Sequence, residues 1–314
     1  MPAHTGHPRI PATPPAVGPP LLHRRRVLRA LRAARTAAGL TQEQLAQDLE
    51  WSLSKVIRIE NGTVGATRSD VIAILWTCEI DDRVLIDDLA ASAKPGRRPD
   101  PCWSRFTDKV DAGTIDFYAH EQIAVRIRHV QLALVPDLLL HPAYALEACP
   151  SFCDATEQQS TDGLAILAQR QTLLAPGGPE VTVILDQGVI DHAVLGPVSD
   201  EAFTAQFEHL LAVIDSGKAT LQVLPLQGPL RAGAAPSTYT LFDLPEEEEP
   251  LVFLPLPGCT FRAHDLPQRW PAFVENFDRL LPHCLDQDAS RDLLVDAMIR
   301  RAERRRIYAG GRLR

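Results

Sequence analysis

Lysine is scarce in this chain of 314 residues, with four (Lys55, Lys94, Lys109, Lys218) among 32 basic side chains. The bias toward Arg and Ala is that of a GC-rich coding sequence and carries no functional meaning by itself. Long apolar runs are missing too. Runs such as LALV at 132–135 fall far short of the ~20 residues of a bilayer span, so no membrane-spanning segment is expected. No charged start leads into an apolar core, and no secretory signal is expected. Six cysteines without dense spacing fit a reducing cytoplasm better than a disulfide scaffold. What is present is ordinary for a folded chain. Hydrophobic residues at 45% and charged residues at 23% exclude a mainly disordered protein, and the length suits two domains.

The net charge of −8 conceals segregation. Residues 24–58 hold 8 Lys/Arg against 3 Asp/Glu, residues 300–314 hold 7 against 1, and residues 101–299 hold 11 against 28. Two basic ends therefore flank an acidic middle of −17, and this asymmetry says more about partners than the net value does.

Proline and glycine divide the chain. Residues 1–20 are Pro-rich and read as a disordered leader. Residues 21–93 contain no Pro and show helical periodicity throughout. KPGRRPDP (94–101) breaks the pattern and reads as a linker. Residues 102–300 mix helices (201–215, 267–281, 292–306) with strand-like runs at 181–186, 219–226, 237–244 and 250–256. Residues 301–314 form a basic tail. No internal repeat is present. The expected fold is an all-α helical domain followed by an α+β (mixed α/β) domain.

The segment 27–62 carries the most information. Val27, Leu28, Leu31 and Ala34 share one face of a first helix, which Gly39 stops. Thr41 with Gln44 three residues on has the form of a capping box, and Leu45, Ala46 and Leu49 point inward on the helix that follows. Ser52 is a second N-cap, opening helix 53–60. Val56, Ile57 and Ile59 form its apolar faces, and Leu53, Ser54, Lys55 and Arg58 point outward. Gly62 stops it. Two short helices across a tight turn make a helix-turn-helix unit, and the second fits a ~12 Å major groove.

On these residues, LTQEQLAQDLEWSLSKVIRIENG (40–62) resembles the Cro/lambda-repressor-like (xenobiotic-response-element, XRE) helix-turn-helix family, whose pattern is roughly T-Q-x-x-L-A, a small turn, then S-x-S-x-[IV]-S-x-[IL]-E-x-G. The chain departs from it at Glu50 and Trp51, where many members have Gly, and at Lys55 and Arg58. The resemblance implies a five-helix domain, completed by helices at 68–76 and 81–92. It makes Gln42 a phosphate contact at a helix N-terminus, and Ser52, Leu53, Ser54, Lys55 and Arg58 the groove-facing surface. Lys55 or Arg58 would donate to guanine, Ser54 would bond a base or a phosphate, and Leu53 would touch a thymine methyl. Arg32 and Arg35 would meet phosphate. Glu60 is expected to pair within the domain, since DNA repels a carboxylate.

The remainder is similar to a group of actinobacterial regulators that join this helix-turn-helix to a C-terminal domain of unknown function. The similarity runs through FYAHEQIAVRIRHVQLALVPDLLLHPAYALEA (117–148), RQTLL (170–174), VTVILDQGVI (181–190), LQVLPLQGP (221–229) and the helix after 288–290. Asp137, Leu140 and His141 stand where Gly, Gln and Thr are common, and Gln187 where Glu is usual. One short helix reads few bases, so a homodimer on a palindromic double-stranded DNA operator is expected, with the C-terminal domain sensing a small-molecule effector or a protein; the resemblance implies a small partner protein encoded nearby in a toxin–antitoxin-like arrangement.

No catalytic residue, metal or cofactor is expected. The histidines are scattered without an H-E-x-x-H pair, Cys149 and Cys153 lack a second ligand pair, and no nucleophile elbow, Walker loop or dinucleotide fingerprint appears. Glu121, Arg126, Arg128 and Arg170 either pair in a partly buried network, the favoured reading, or join Tyr144 in lining a site for a partner or anionic ligand. The arginines of 300–306 cap a solvated helix, fold onto the acidic domain, or contact phosphate. The expected function is a cytoplasmic, nucleoid-associated, non-enzymatic transcription regulator. The alternatives are a protein-interaction module with the helix-turn-helix as scaffold, and a DNA-tethered enzyme.

Overall fold

The computed structural model describes residues 20–62, 64–93, 102–148, 155–227, 237–245, 250–256, 259–262 and 271–310. The chain divides into two compact units between Ser104 and Arg105. The leader (apart from Pro20), the 94–101 linker and Cys149–Cys153 lie outside the described residues.

Five helices build the first unit: α1 (Pro20–Ala37), α2 (Gln42–Asp48), α3 (Leu53–Glu60), α4 (Arg68–Thr77) and α5 (Arg83–Ser92). Side-chain caps start four of them. The Thr41–Gln44 capping box is complete, Ser52 accepts from the Lys55 amide, Thr67 and Asp70 form a second box, and Asp82 accepts from Val84 and Leu85. Such a cap is worth about 1 kcal/mol. Left-handed residues stop α1 at Gly39 (φ 71°), α2 at Glu50 (φ 54°) and α4 at Glu79 (φ 58°). In each, paired backbone hydrogen bonds close the last turn, as in Trp51 N to Ala46 O (2.8 Å) and Glu50 N to Gln47 O (3.0 Å). Gly62 follows α3 at φ 68°, where an L side chain is strained, and a Cβ there would lie 2.8 Å from Leu28 Cδ1, which would have to shift. Leu31, Ala34, Leu45, Val56, Val71 and Leu75 are fully buried at the centre. Each large apolar side chain there contributes roughly 1.5–3 kcal/mol.

The second unit is built on a six-stranded mixed sheet among the described residues, of order β3-β2-β1-β4-β5-β6. Its strands are β1 (Arg126–Gln131), β2 (Glu180–Asp186), β3 (Thr220–Leu224), β4 (Tyr239–Asp243), β5 (Leu251–Leu256) and β6 (Cys259–Arg262). β1, β2 and β3 run parallel, and β4, β5 and β6 continue from β1 in antiparallel pairs. Helices α6 (Ala112–Ile123), α7 (Pro142–Ala148), α8 (Glu157–Gln171), α9 (Gln187–Leu195), α10 (Asp200–Asp215), α11 (Pro271–Leu280) and α12 (Gln287–Gly310) complete the unit. The strands expected at 181–186, 219–226, 237–244 and 250–256 are present. β1 and β6 are additions that the sequence pattern did not reveal.

Alternation along the strands sorts side chains onto two faces. Val130, Ile184, Tyr239 and Leu241 pack with Phe277 and Leu280 of α11. On the opposite face Phe117 of α6 meets Phe242 and Phe253, at 5.0 and 5.3 Å between ring centroids.

The Arg cluster on α12 is not a separate tail, because the helix continues to Gly310. Arg301 donates to Asp200 (2.8 Å) and to the carbonyls of Val194 and Gly196, each at 3.0 Å, and of Val198. Arg300 pairs with Asp191 at 2.7 Å, and Arg305 with Asp200 at 3.3 Å. Of the three readings of this cluster, folding onto the acidic domain is the one these contacts follow.

Candidate nucleic-acid interface

α3 presents an outward face because its apolar positions are used elsewhere. Val56 and Ile59 are buried in the helical core, which turns Ser52, Leu53, Ser54 and Arg58 to solvent. Leu53 is 37% exposed. No side-chain partner of Arg58 is found among the described residues.

The rest of the expected contact set is committed within the domain. Arg35 Nε and Nη2 lie 2.7 and 3.2 Å from the two carboxylate oxygens of Glu60, and Arg35 Nη1 donates to Leu40 O at 2.7 Å. Gln42 Nε2 donates to the same carboxylate at 2.7 Å, and Arg32 Nη2 donates to Glu60 O at 2.8 Å. Arg24 also reaches the α3 terminus, at the carbonyl of Gly62. The side chains expected on phosphate, Arg32, Arg35 and Gln42, are thus hydrogen-bonded within the domain in this structure. Glu60 is a buried carboxylate, which is costly without partners, and Arg35 of α1 with Gln42 of α2 satisfies it. The pairing role expected for Glu60 matches this arrangement.

Lys55 has partners within the domain as well. Its ammonium sits 2.8 Å from Asp70 Oδ1 and 3.3 Å from the centroid of the Trp51 ring. Burial pushes the Asp70 carboxyl up, but hydrogen bonds from Lys55 and Thr67, with the Lys55 charge, outweigh it and hold the group below its ordinary value. Asp70 is the residue that sequence reasoning missed, and Trp51, noted there as a departure from the family pattern, was given no contact with Lys55. Thr67-x-x-Asp70 was readable as a capping box; its link to Lys55 depends on how α4 packs beside α3.

The polar residues singled out in the second unit do not converge on one place. Arg170 is buried and grips Glu121 through two hydrogen bonds of 2.7 and 2.9 Å, with Asp137 at 3.0 Å. Its guanidinium lies 4.8 Å from the Tyr118 ring. Nearby His129 is bonded to Thr240 (2.9 Å). Burial, then the Arg170 charge, push its pKa down to about 3. Arg128 belongs to the other face of the sheet, bonded to Asp243 at 2.9 Å and lying over Phe277. Arg126 reaches Glu180 at 3.2 Å. Tyr144 is buried in α7. The favoured reading of Glu121, Arg126, Arg128 and Arg170 as paired side chains fits this arrangement, in two networks: Arg126 and Arg128, two apart on β1, share a face and the Asp243 carboxylate, and Arg170 pairs with Glu121 and Asp137.

Among the described residues no group of three or more His, Cys, Asp or Glu is placed to hold a metal ion. No helix there is long and apolar enough to cross a membrane.

Residues 26–89 match a helix-turn-helix domain family, which agrees with the geometry of α2 and α3 and defines the class: a DNA-binding helix-turn-helix regulator. Residues 114–296, more than half of the chain, match a domain of unknown function (DUF5753), and the protein belongs to that family. No curated protein matches the chain, and no solved structure does.

Proposed function

We propose that the protein is a sequence-specific transcription regulator of the Cro/lambda-repressor-like (XRE) subtype that reads the major groove with α3. The observation that carries this reading is the division of α3. Its apolar residues are locked in the core and its C-terminal end is gripped by α1, while Ser52, Leu53, Ser54 and Arg58 are offered outward. Arg58 suits guanine O6 and N7, and Leu53 a thymine methyl. One short helix reads few bases, so the protein acts as a homodimer on half-sites about 34 Å apart. Residues 102–300 supply dimerisation and the response to a small-molecule effector or a small partner protein, without catalysis. The setting is the cytoplasm of an actinobacterium, at the nucleoid.

The test is selection of duplexes from a random library by the purified full chain, followed by affinity measured across salt concentrations. An enriched palindrome whose affinity falls steeply with salt supports the reading. No enrichment and no salt-dependent binding overturns it. The commitment of Arg32, Arg35 and Lys55 inside the domain favours one second reading, a protein-interaction module using the same fold as scaffold. An apolar protein contact would bind with little salt dependence.

A further inference from the structure

Three elements meet around Lys55: the turn that holds Trp51, α3 itself, and the first turn of α4. The ammonium is 2.8 Å from Asp70 Oδ1 and 3.3 Å above the Trp51 ring. Neither partner is free to follow it outward. The other oxygen of Asp70 accepts from the Thr67 amide (2.9 Å) and hydroxyl (2.7 Å), and Trp51 packs against the helical core. The exposed end of α3 is thereby left with uncharged Ser52, Leu53 and Ser54, together with Arg58.

We infer that Asp70 and Trp51 hold Lys55 back from the duplex, and that Asp70 is thereby a specificity-determining residue. This rests on the DNA-binding reading of α3. A lysine is a mobile point charge. Released, it would add a phosphate contact that strengthens binding to every sequence alike, without discriminating between bases. Restrained, it leaves recognition to groups that read base edges. Trp51, which departs from the family pattern at the turn, then has a purpose: its ring is the platform on which the Lys55 cation is parked.

The experiment uses the full chain with a random-sequence duplex and with the selected operator, read by fluorescence anisotropy across salt. Asp70→Asn keeps an oxygen to accept from Thr67 and removes the charge. The expected result is a log–log salt slope steeper by about one, with random duplex tightening several-fold more than operator. In Lys55→Met/Asp70→Asn that gain disappears. An unchanged slope in a folded Asp70→Asn chain overturns the inference, as does a gain that persists in the double variant, which would mean that Asp70 repels phosphate directly. Should Asp70→Asn not fold, Lys55→Met alone decides. A slope equal to that of the native chain supports restraint, and one shallower by about one overturns it. A native chain that binds no duplex overturns the parent reading as well. Native binding that Arg58→Ala weakens, combined with a shallower slope in Lys55→Met, overturns only the restraint.

Discussion

Arg35 and Glu60 tie the first helix to the third through two hydrogen bonds, 2.7 and 3.2 Å long. With Gln42 on the same carboxylate, one buried acid gathers side chains from α1 and α2 onto the end of α3. Removing Arg35 leaves that acid largely unpaired in the interior. Arg35→Ala is expected to destabilise the first unit by about 3–5 kcal/mol, measured as faster hydrogen exchange of the α1 and α3 amides in the full chain. Unaltered exchange would show that the pair contributes nothing.

Arg58→Ala should weaken operator binding by about 1–3 kcal/mol and relax the preference at one base pair. Gel-shift titration against operators varied at that position is the measurement. Equal affinity for native and variant chains removes Arg58 from the reading surface.

Glu50 holds a left-handed conformation, φ 54°, that costs a non-glycine residue roughly 1–2 kcal/mol. Glu50→Gly relieves that strain, against a loss of chain entropy in the unfolded state, and should raise stability by about 0.5–1 kcal/mol. It also removes a negative charge from the turn before α3. A lower urea midpoint in the variant would contradict the strain argument.

Arg301 closes the C-terminal end of α9 by serving three carbonyls and Asp200 at once. Arg301→Ala leaves those acceptors short of a donor at about 1–3 kcal/mol, and α12 should become sensitive to limited proteolysis. Arg301→Lys should not restore protection, because an ammonium cannot reproduce the guanidinium fork. Full protection in the Lys variant would show that charge alone is enough.

Buried His129 gives the second unit an acid-sensitive limb. Its folded pKa is about 3, against about 6.5 for an ordinary histidine. Between these values the unfolded chain takes up a proton that the folded chain refuses, so stability falls as pH drops through that window. By pH 5 the loss reaches roughly 2 kcal/mol. His129→Gln, which can still bond Thr240, should flatten this part of the profile, as read from urea midpoints between pH 6.5 and 4.5. A variant with the native slope would place the acid sensitivity elsewhere.

The local grammar of the helical unit was legible along the chain. Thr41 with Gln44, Ser52, Gly39 and Gly62 act within a few residues of themselves, so their caps and stops follow from spacing alone. The strands at 181–186 and 250–256 announced themselves by short apolar runs between turns. β1 did not. RIRHVQ places Arg128 and His129 at the centre of the sheet, where their partners are Asp243 and Thr240, more than a hundred residues away. A strand buried on both faces shows no alternation, and its charges disguise it further.

Sequence by itself therefore determined that α3 exists, where it begins and ends, and which side is apolar, because those properties are set by neighbours along the chain. Only the tertiary structure decided which polar side chains remain available on it. Arg32, Arg35, Gln42 and Lys55 differ from Arg58 in no way that periodicity records. They differ because packing sets the Glu60 carboxylate beside Arg35 and Gln42, the Glu60 carbonyl beside Arg32 and the Asp70 carboxylate beside Lys55, each within about 3 Å, and a buried acceptor claims the donors that surround it.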